Sequence, residues 1–197
     1  MAARRSRKKS SRRRTRARAK TGAGVAQKLL ARLIALARKE VGTRESGGDN
    51  RGARIEDYQA ATWLPPGPWP WCPAFTSWLL REWLNDAEVR RALGLASDAD
   101  VGRWRCQDTR AFGWRDWASA RGARRLSEGH LARAGDFVVY DFSHIGLVCE
   151  DQPDLATPLR TIEGNTNGAG TRESDTGDGV WQKTREPHLV DTLIRLL

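Results

Sequence analysis

The sequence predicts an α+β domain in which helices from the first half of the chain pack on an antiparallel β-sheet of about five strands from the second half. Between residues 25 and 95, apolar side chains recur at steps of three and four residues, as they do on one face of a helix. From residue 137 onward the chain changes to short β-branched and aromatic runs separated by turn-forming residues. A length of 197 residues is enough for one such domain with its own core.

Four helices are expected in the first half, and two irregular segments separate them. The helices are predicted at Val25 to Val41, at Ile55 to Trp63, from Cys72 through the apolar positions Phe75, Trp78, Leu79 and Trp83, and at Asp86 to Leu95. Glu45 to Gly52 is a turn-rich loop by composition. Leu64 to Pro70 contains four prolines and a glycine, which exclude regular structure. Val101 to Arg125 is rich in Trp and Arg and carries no pattern that assigns it to an element.

Five strands are expected in the second half. They are predicted at Phe137 to Tyr140, Ile145 to Cys149, Leu159 to Glu163, Gly179 to Arg185 and Leu189 to Leu196. Asp141, Phe142 and Ser143 link the first two strands as a short hairpin. Strands that follow one another through short turns pair antiparallel, and this sets the type of sheet.

Charge divides the chain into a basic tail and a nearly neutral body. Residues 1–20 contain 11 of the 34 Lys and Arg residues and no acidic residue. The other 23 basic residues are matched by 24 acidic ones, so the net charge of +10 belongs to the tail. Because a block of like charges cannot collapse on itself, we predict a disordered polybasic tail at residues 1–22, followed by one domain at residues 23–197.

Composition leaves three interpretations of this tail open. It could bind nucleic-acid phosphates, it could hold anionic envelope polymers or an anionic membrane surface, or it could be solvated without a dedicated partner. The basic residues are not followed by an uninterrupted apolar run, which is not typical of a secretory signal. No stretch approaches the roughly 18 apolar residues of a membrane span. We therefore expect synthesis in the cytoplasm and no transmembrane segment.

Cysteine and acidic residues predict neither disulfides nor a cofactor. Cys72, Cys106 and Cys149 are an odd number and widely spaced, without a Cys-x-x-Cys pair that would indicate zinc or redox chemistry. Cys149 lies in an apolar strand and is expected in the core, whereas Cys106 has no evident role. Calcium binding is left open but has no support, because Asp49, Asp141 and Asp151 are scattered and form no recognisable ligand loop.

Cys72 stands at the predicted start of a helix, and this position favours a nucleophile. Pro73 follows it, and proline is favoured at the first helical position, where its missing N–H would have had no partner. A thiol at that end of a helix feels the positive end of the helix dipole, which favours the reactive thiolate. The alternative is a buried structural cysteine among tryptophans.

The predicted sheet supplies partners for this thiol. His144 opens the second strand, and the third strand ends in Glu163, Gly164 and Asn165. Two residues apart on a strand, Glu163 and Asn165 should point to one face, where a neighbouring strand can bring one of them beside His144. The order of nucleophile, base and orienting group is what a cysteine acyl-transfer enzyme requires.

Four segments resemble the CHAP domain, a family of cysteine- and histidine-dependent amidohydrolases and peptidases related to the NlpC-type papain-like enzymes. These segments are Pro-Trp-Cys-Pro-Ala-Phe ending at Phe75, Gly135 to Val139, Ser143 to Val148, and Ile162 to Asn167. Relatives often carry alanine after the cysteine, where this chain has Pro73. The resemblance covers roughly Ala31 to the C-terminus and implies a papain-like fold.

The resemblance also implies a function and a set of site residues. Peptidoglycan becomes the expected substrate, with cleavage of an amide between sugar and stem peptide or within the peptide, as in phage lysins that act on the cell wall after release. Cys72, His144, Glu163 and Asn165 become the expected catalytic residues. Tyr58 and Trp71 become the expected substrate-contacting residues, with the Tyr58 hydroxyl assisting the oxyanion, although an ordinary core tyrosine fits Tyr58 nearly as well. A monomer is expected.

Two other functions remain open at the level of the sequence. A bacterial effector amidase delivered by another route fits the same residues. A non-enzymatic, basic-armed module that binds nucleic acid or the cell envelope would bind in a salt-sensitive manner and be indifferent to alkylation of Cys72.

Overall fold

The computed structural model describes residues 22–127, 129–168 and 177–197. Helix α1 covers residues 22–40, so all but the last residue of the predicted basic tail lies outside the described residues. The remaining helices are α2 (Ala53–Gln59), α3 (Cys72–Trp83), α4 (Ala87–Ala92), α5 (Asp98–Trp104) and α6 (Gly113–Ala120). The strands are β1 (Arg124–Leu126), β2 (Phe137–Tyr140), β3 (Ile145–Val148), β4 (Leu159–Thr166), β5 (Gly179–Arg185) and β6 (Val190–Arg195).

The strands form one antiparallel sheet in the order β1-β6-β2-β3-β4-β5. The α+β class and the antiparallel pairing are therefore confirmed. The sheet has six strands rather than about five, because β1 pairs along the edge of β6. This strand is only three residues long, and its two arginines are exposed, so it offers no alternation from which a strand could be predicted.

Several predicted boundaries shift. Helix α2 ends at Gln59 instead of Trp63, and the unassigned segment 101–125 contains most of α5, all of α6 and the start of β1. Strand β6 begins at Val190 because Pro187–Leu189 forms a 3₁₀-helix in front of it. Strand β4 continues past Glu163 to Thr166. By contrast, β2 and β5 have the predicted bounds.

The core lies between the helices and one face of the sheet. Helix α3 packs on β3 and β4, and every residue from Cys72 to Leu80 is buried. A Cβ at Gly164 of β4 would lie 2.7 Å from atoms of both Phe75 and Trp71, so this glycine allows α3 to approach the strand closely. The close packing fixes where the first turn of α3 meets the sheet.

The opposite face of the sheet carries a smaller buried cluster, which includes Val138, Tyr140, Val148 and Leu159. Most tryptophans pack in or against the core, and Trp71, Trp83 and Trp114 are fully buried. Within the described ranges, no helix combines the length and the apolar character needed to cross a bilayer.

Candidate active site

Cys72 is the first residue of α3, in the position that the sequence predicted. Trp71 is the N-cap and has no side-chain capping bond of its own, but its backbone N–H donates to Asn165 Oδ1 at 2.9 Å. Its indole Nε1 donates to Glu45 Oε1 at 2.8 Å. The residue in front of the thiol is thus held from both its backbone and its side chain.

The proline-rich segment before Cys72 is held by Gln59, a residue that sequence reasoning missed. Gln59 is fully buried at the end of α2. Its Nε2 donates to the carbonyls of Gly67 at 2.7 Å and Trp69 at 3.1 Å, and its Oε1 accepts from the Gly67 N–H at 3.1 Å. One amide therefore satisfies three backbone groups of a segment that cannot form a ladder of its own. No sequence pattern distinguishes this glutamine from an ordinary helical one.

His144 is positioned by the tight hairpin between β2 and β3. Ser143 adopts a left-handed conformation with φ of 61°, and the Tyr140 N–H donates to the His144 carbonyl at 2.9 Å. The imidazole is 1% exposed and lies nearly parallel to the Phe142 ring, with centroids 5.8 Å apart. The turn thus places the imidazole ring in the interior of the protein, just before β3.

Glu163 receives hydrogen bonds from several elements. Its Oε2 lies 3.0 Å from His144 Nε2. Its Oε1 accepts from the Tyr140 hydroxyl at 2.9 Å and from the Thr161 hydroxyl at 2.6 Å, and Arg185 Nε lies 3.0 and 3.1 Å from the two oxygens. Burial raises the pKa of this carboxyl, but the bonds and charges of His144 and Arg185 outweigh that effect and hold the pKa well below its usual range. Glu163 is therefore an ionised group in the interior.

The imidazole of His144 also interacts with Cys72. The His144 Nδ1 is buried and makes no hydrogen bond of ordinary geometry to any described residue. Burial lowers the pKa of His144, but the negative charge and close contact of Cys72, together with Glu163, outweigh it and raise that pKa to about 10. His144 thus interacts with both Cys72 and Glu163, in a series of thiol, imidazole and carboxylate. A protonated imidazole beside a cysteine is the arrangement that thiol chemistry uses.

Asn165 does not join this series. The register between β4 and β5 shifts between Glu163 and Thr166, and Asn165 has a left-handed φ of 55°. The extra residue of this bulge breaks the alternation, so the prediction that Asn165 shares a face with Glu163 is wrong. The Asn165 amide instead accepts from the Trp71 N–H and donates to Asn50 Oδ1 at 3.1 Å. It supports the residue before the thiol.

Tyr58 and Trp71 occupy the core and are not exposed for substrate. Both are fully buried and stack on each other, with ring centroids 5.5 Å apart. The Tyr58 hydroxyl donates to Glu40 at 2.6 Å, and burial raises the pKa of Tyr58, so the phenol stays neutral. The expected oxyanion contact of Tyr58 and the expected substrate contact of Trp71 are replaced by structural roles.

Further candidate sites are few. Across residues 22–127, 129–168 and 177–197, no group of three or more His, Cys, Asp or Glu side chains is arranged to hold a metal ion. All three cysteines are free thiols. A cavity of about 760 Å³ lies away from Cys72, and its lining includes His130, Leu155, His188 and Leu193.

Gly146 provides the space that Glu163 occupies. A Cβ at Gly146 would lie 2.6 Å from Glu163 Cγ, and the buried glutamate has little room to move. We expect Gly146→Ala to lower the free energy of unfolding by about 1–3 kcal/mol, as overpacking does. The measurement is urea unfolding followed by circular dichroism.

The matched control is Gly102→Ala in the exposed part of α5, where a Cβ would meet no atom within 4 Å. This control should stabilise the domain by about 0.5–1 kcal/mol, as alanine does in place of a helical glycine. Equal effects of the two substitutions would contradict the close approach of Gly146 and Glu163.

Comparisons of the chain with protein-family profiles, with curated proteins and with solved structures each find no match. The resemblance to the CHAP family therefore depends on the motifs around Cys72, His144 and Glu163.

Proposed function

We propose that this protein is a cysteine amidohydrolase that cleaves an amide bond of bacterial peptidoglycan. The observation that carries the proposal is the buried series of Cys72, His144 and Glu163, in which the imidazole contacts Glu163 through Nε2 and its protonated form is favoured by Cys72. A histidine on a strand or a cysteine at a helix start is common by itself. Their combination at one point supports thiol chemistry.

The reaction proceeds in two stages. In the first, the Cys72 thiolate attacks the carbonyl carbon of the scissile amide, and the imidazolium of His144 gives its proton to the nitrogen as the C–N bond breaks. In the second, His144 takes a proton from water, which attacks the thioester and restores the thiolate as the C–S bond breaks. Glu163 keeps the imidazole oriented through both stages.

The start of α3 supplies a donor for the oxyanion. The first bond of the helical ladder runs from the Phe75 N–H to the Trp71 carbonyl at 3.0 Å, so the Cys72 N–H precedes the ladder. Pro73 has no N–H to offer. The Cys72 amide, in the same residue as the attacking sulfur, is therefore the proposed oxyanion donor, and the loss of such a donor typically costs about 100- to 1000-fold in rate.

Peptidoglycan as substrate, a papain-like fold and a lysin-like role rest on the resemblance to the CHAP family. The 11 basic residues of the first 20 complement the anionic polymers of a cell envelope. In this proposal the protein is made in the cytoplasm, acts on the wall after release, and works as a monomer without a cofactor.

The test is digestion of purified peptidoglycan, with the soluble fragments identified by mass spectrometry. Free stem peptides that begin with alanine identify an amidase, whereas split cross-bridges or shortened stems identify an endopeptidase. The matched control is the same protein after treatment with iodoacetamide, which should release nothing. If treated and untreated protein release the same fragments, the thiol mechanism fails. If neither releases any, the enzymatic proposal fails and a non-enzymatic binding function is favoured.

A further inference from the structure

Arg185 is a buried arginine that the sequence did not single out. It lies at the end of β5, has no exposed surface, and contacts both carboxylate oxygens of Glu163 through Nε. Its Nη2 makes an additional short bond to Glu163 Oε2. Its neighbour across the strand pair is Leu159, so the side chain reaches Glu163 along the face of the sheet.

Aromatic rings enclose this ion pair. The Arg185 guanidinium lies 5.4 Å from the ring centroids of both Tyr140 and Phe142, and the Phe142 ring is also parallel to His144. The guanidinium, the carboxylate and the imidazole are thus packed into one unit. A buried arginine is costly to retain unless its charge is matched, as it is here by Glu163.

Arg185 is the cation that contacts both oxygens of Glu163, whereas His144 contacts Oε2. Tyr140 of β2 and Thr161 of β4 face Glu163 as neutral donors, and Lys183 of β5 acts on it electrostatically. Without the guanidinium, the negative charge of Glu163 would be less well matched in the interior.

We propose that Arg185 is a positioning residue of this site, a guanidinium fork that fixes the orientation and the charge of Glu163 and through it the His144 ring. The inference rests on the proposed function for its catalytic consequence. Arginine suits the role because its planar fork binds a carboxylate through two parallel bonds, whereas lysine offers a single point charge.

The experiment compares Arg185→Met and Arg185→Lys with the wild type and with Arg160→Met. Arg160 is an exposed arginine of β4 whose Nη1 donates to the Thr184 hydroxyl, so it controls for loss of an arginine from the sheet. The first readout needs no substrate. It is the rate of alkylation of Cys72 by iodoacetamide as a function of pH, followed by peptide mass spectrometry for each cysteine.

Arg185→Met should move the acidic limb of this profile upward by about one to three pH units, because Glu163 loses the cation that keeps it ionised. Arg185→Lys keeps a positive charge, so its acidic limb should stay at the wild-type pH. It lacks the planar group that contacts both carboxylate oxygens. In peptidoglycan hydrolysis, both variants should lower kcat by roughly 100-fold at little change in KM, as misplacement of a catalytic group does. Arg160→Met should match the wild type in both assays.

A folded Arg185→Met protein with the wild-type alkylation profile would overturn the proposal. If Arg185→Met does not fold, Arg185→Lys decides, because a folded Arg185→Lys protein with wild-type kcat shows that the fork is not needed. If the wild type does not hydrolyse peptidoglycan, the proposed function fails on its own, and the alkylation profile still decides the role of Arg185.

Discussion

Replacement of Cys72 by alanine should abolish peptidoglycan hydrolysis and leave the fold intact. Removal of a nucleophile that works as a unit with its base costs about 10⁴- to 10⁶-fold in kcat, which is near the limit of detection. The variant should still fold, but the free energy of unfolding should fall, because the sulfur atom is lost together with the interaction that favours the protonated His144. The measurements are fragment release by mass spectrometry and urea unfolding.

Cys106→Ala is the matched control for this substitution. Cys106 is also buried, and burial raises the pKa of its thiol to about 12, so it is a poor nucleophile at neutral pH. This control should retain wild-type hydrolysis. The assignment of Cys72 is rejected if a folded Cys72→Ala protein keeps a rate comparable to that of Cys106→Ala.

Cys72→Ala also tests the interaction between Cys72 and His144, through the pH dependence of the free energy of unfolding. In the folded protein the pKa of His144 is raised from 6.5 to about 10, so its stabilising contribution is complete below pH 6.5 and is lost as the pH rises toward 10. Cys72 supplies the largest of the effects that raise this pKa. The loss of stability on the alkaline side should therefore be smaller in Cys72→Ala than in the wild type.

The sequence predicted those parts of the site that depend on local patterns. A proline after Cys72 marks a helix start, and a change from period three or four to period two marks the sheet. Since the hairpin turn and the following strand are both short, the location of His144 at their junction also follows from local signals. These local signals were sufficient to predict that Cys72 lies near His144, with Glu163 or Asn165 beside the imidazole.

Residues whose roles depend on tertiary contacts could not be predicted in this way. Asn165 was misplaced because alternation fails at a bulge, and nothing in Glu-Gly-Asn announces one. Arg185 reaches Glu163 along the sheet face, past its direct neighbour across the strand pair. Tyr58 and Trp71 show the opposite error. The resemblance predicted that both contact substrate, but their side chains stack on each other in the core.

Glu163→Gln should impair both the stability and the activity of the protein. The amide keeps the shape of the side chain but removes the charge, which leaves Arg185 buried without its carboxylate and leaves His144 with Cys72 as the partner that favours its protonated form. Breaking a buried pair from one side typically costs about 3–5 kcal/mol, and we expect a loss of this size in urea unfolding. The rate of peptidoglycan hydrolysis should also fall, because the imidazole loses the group that orients it.

Three comparisons separate the charge effect from simple loss of a glutamate. Glu150→Gln, an exposed control just after β3, should change the free energy of unfolding by less than about 0.5 kcal/mol. The double variant Glu163→Gln with Arg185→Met should lose less than the two single variants together, because neither charge is then left alone. The pKa of Glu163 is lowered from 4.5, so its contribution is present above that pH and lost below it, and this acid-side loss should vanish in Glu163→Gln. Strict additivity of the two substitutions would show that the ion pair of Arg185 and Glu163 contributes nothing specific, and the buried carboxylate would then have to be explained by its contacts with His144, Tyr140 and Thr161.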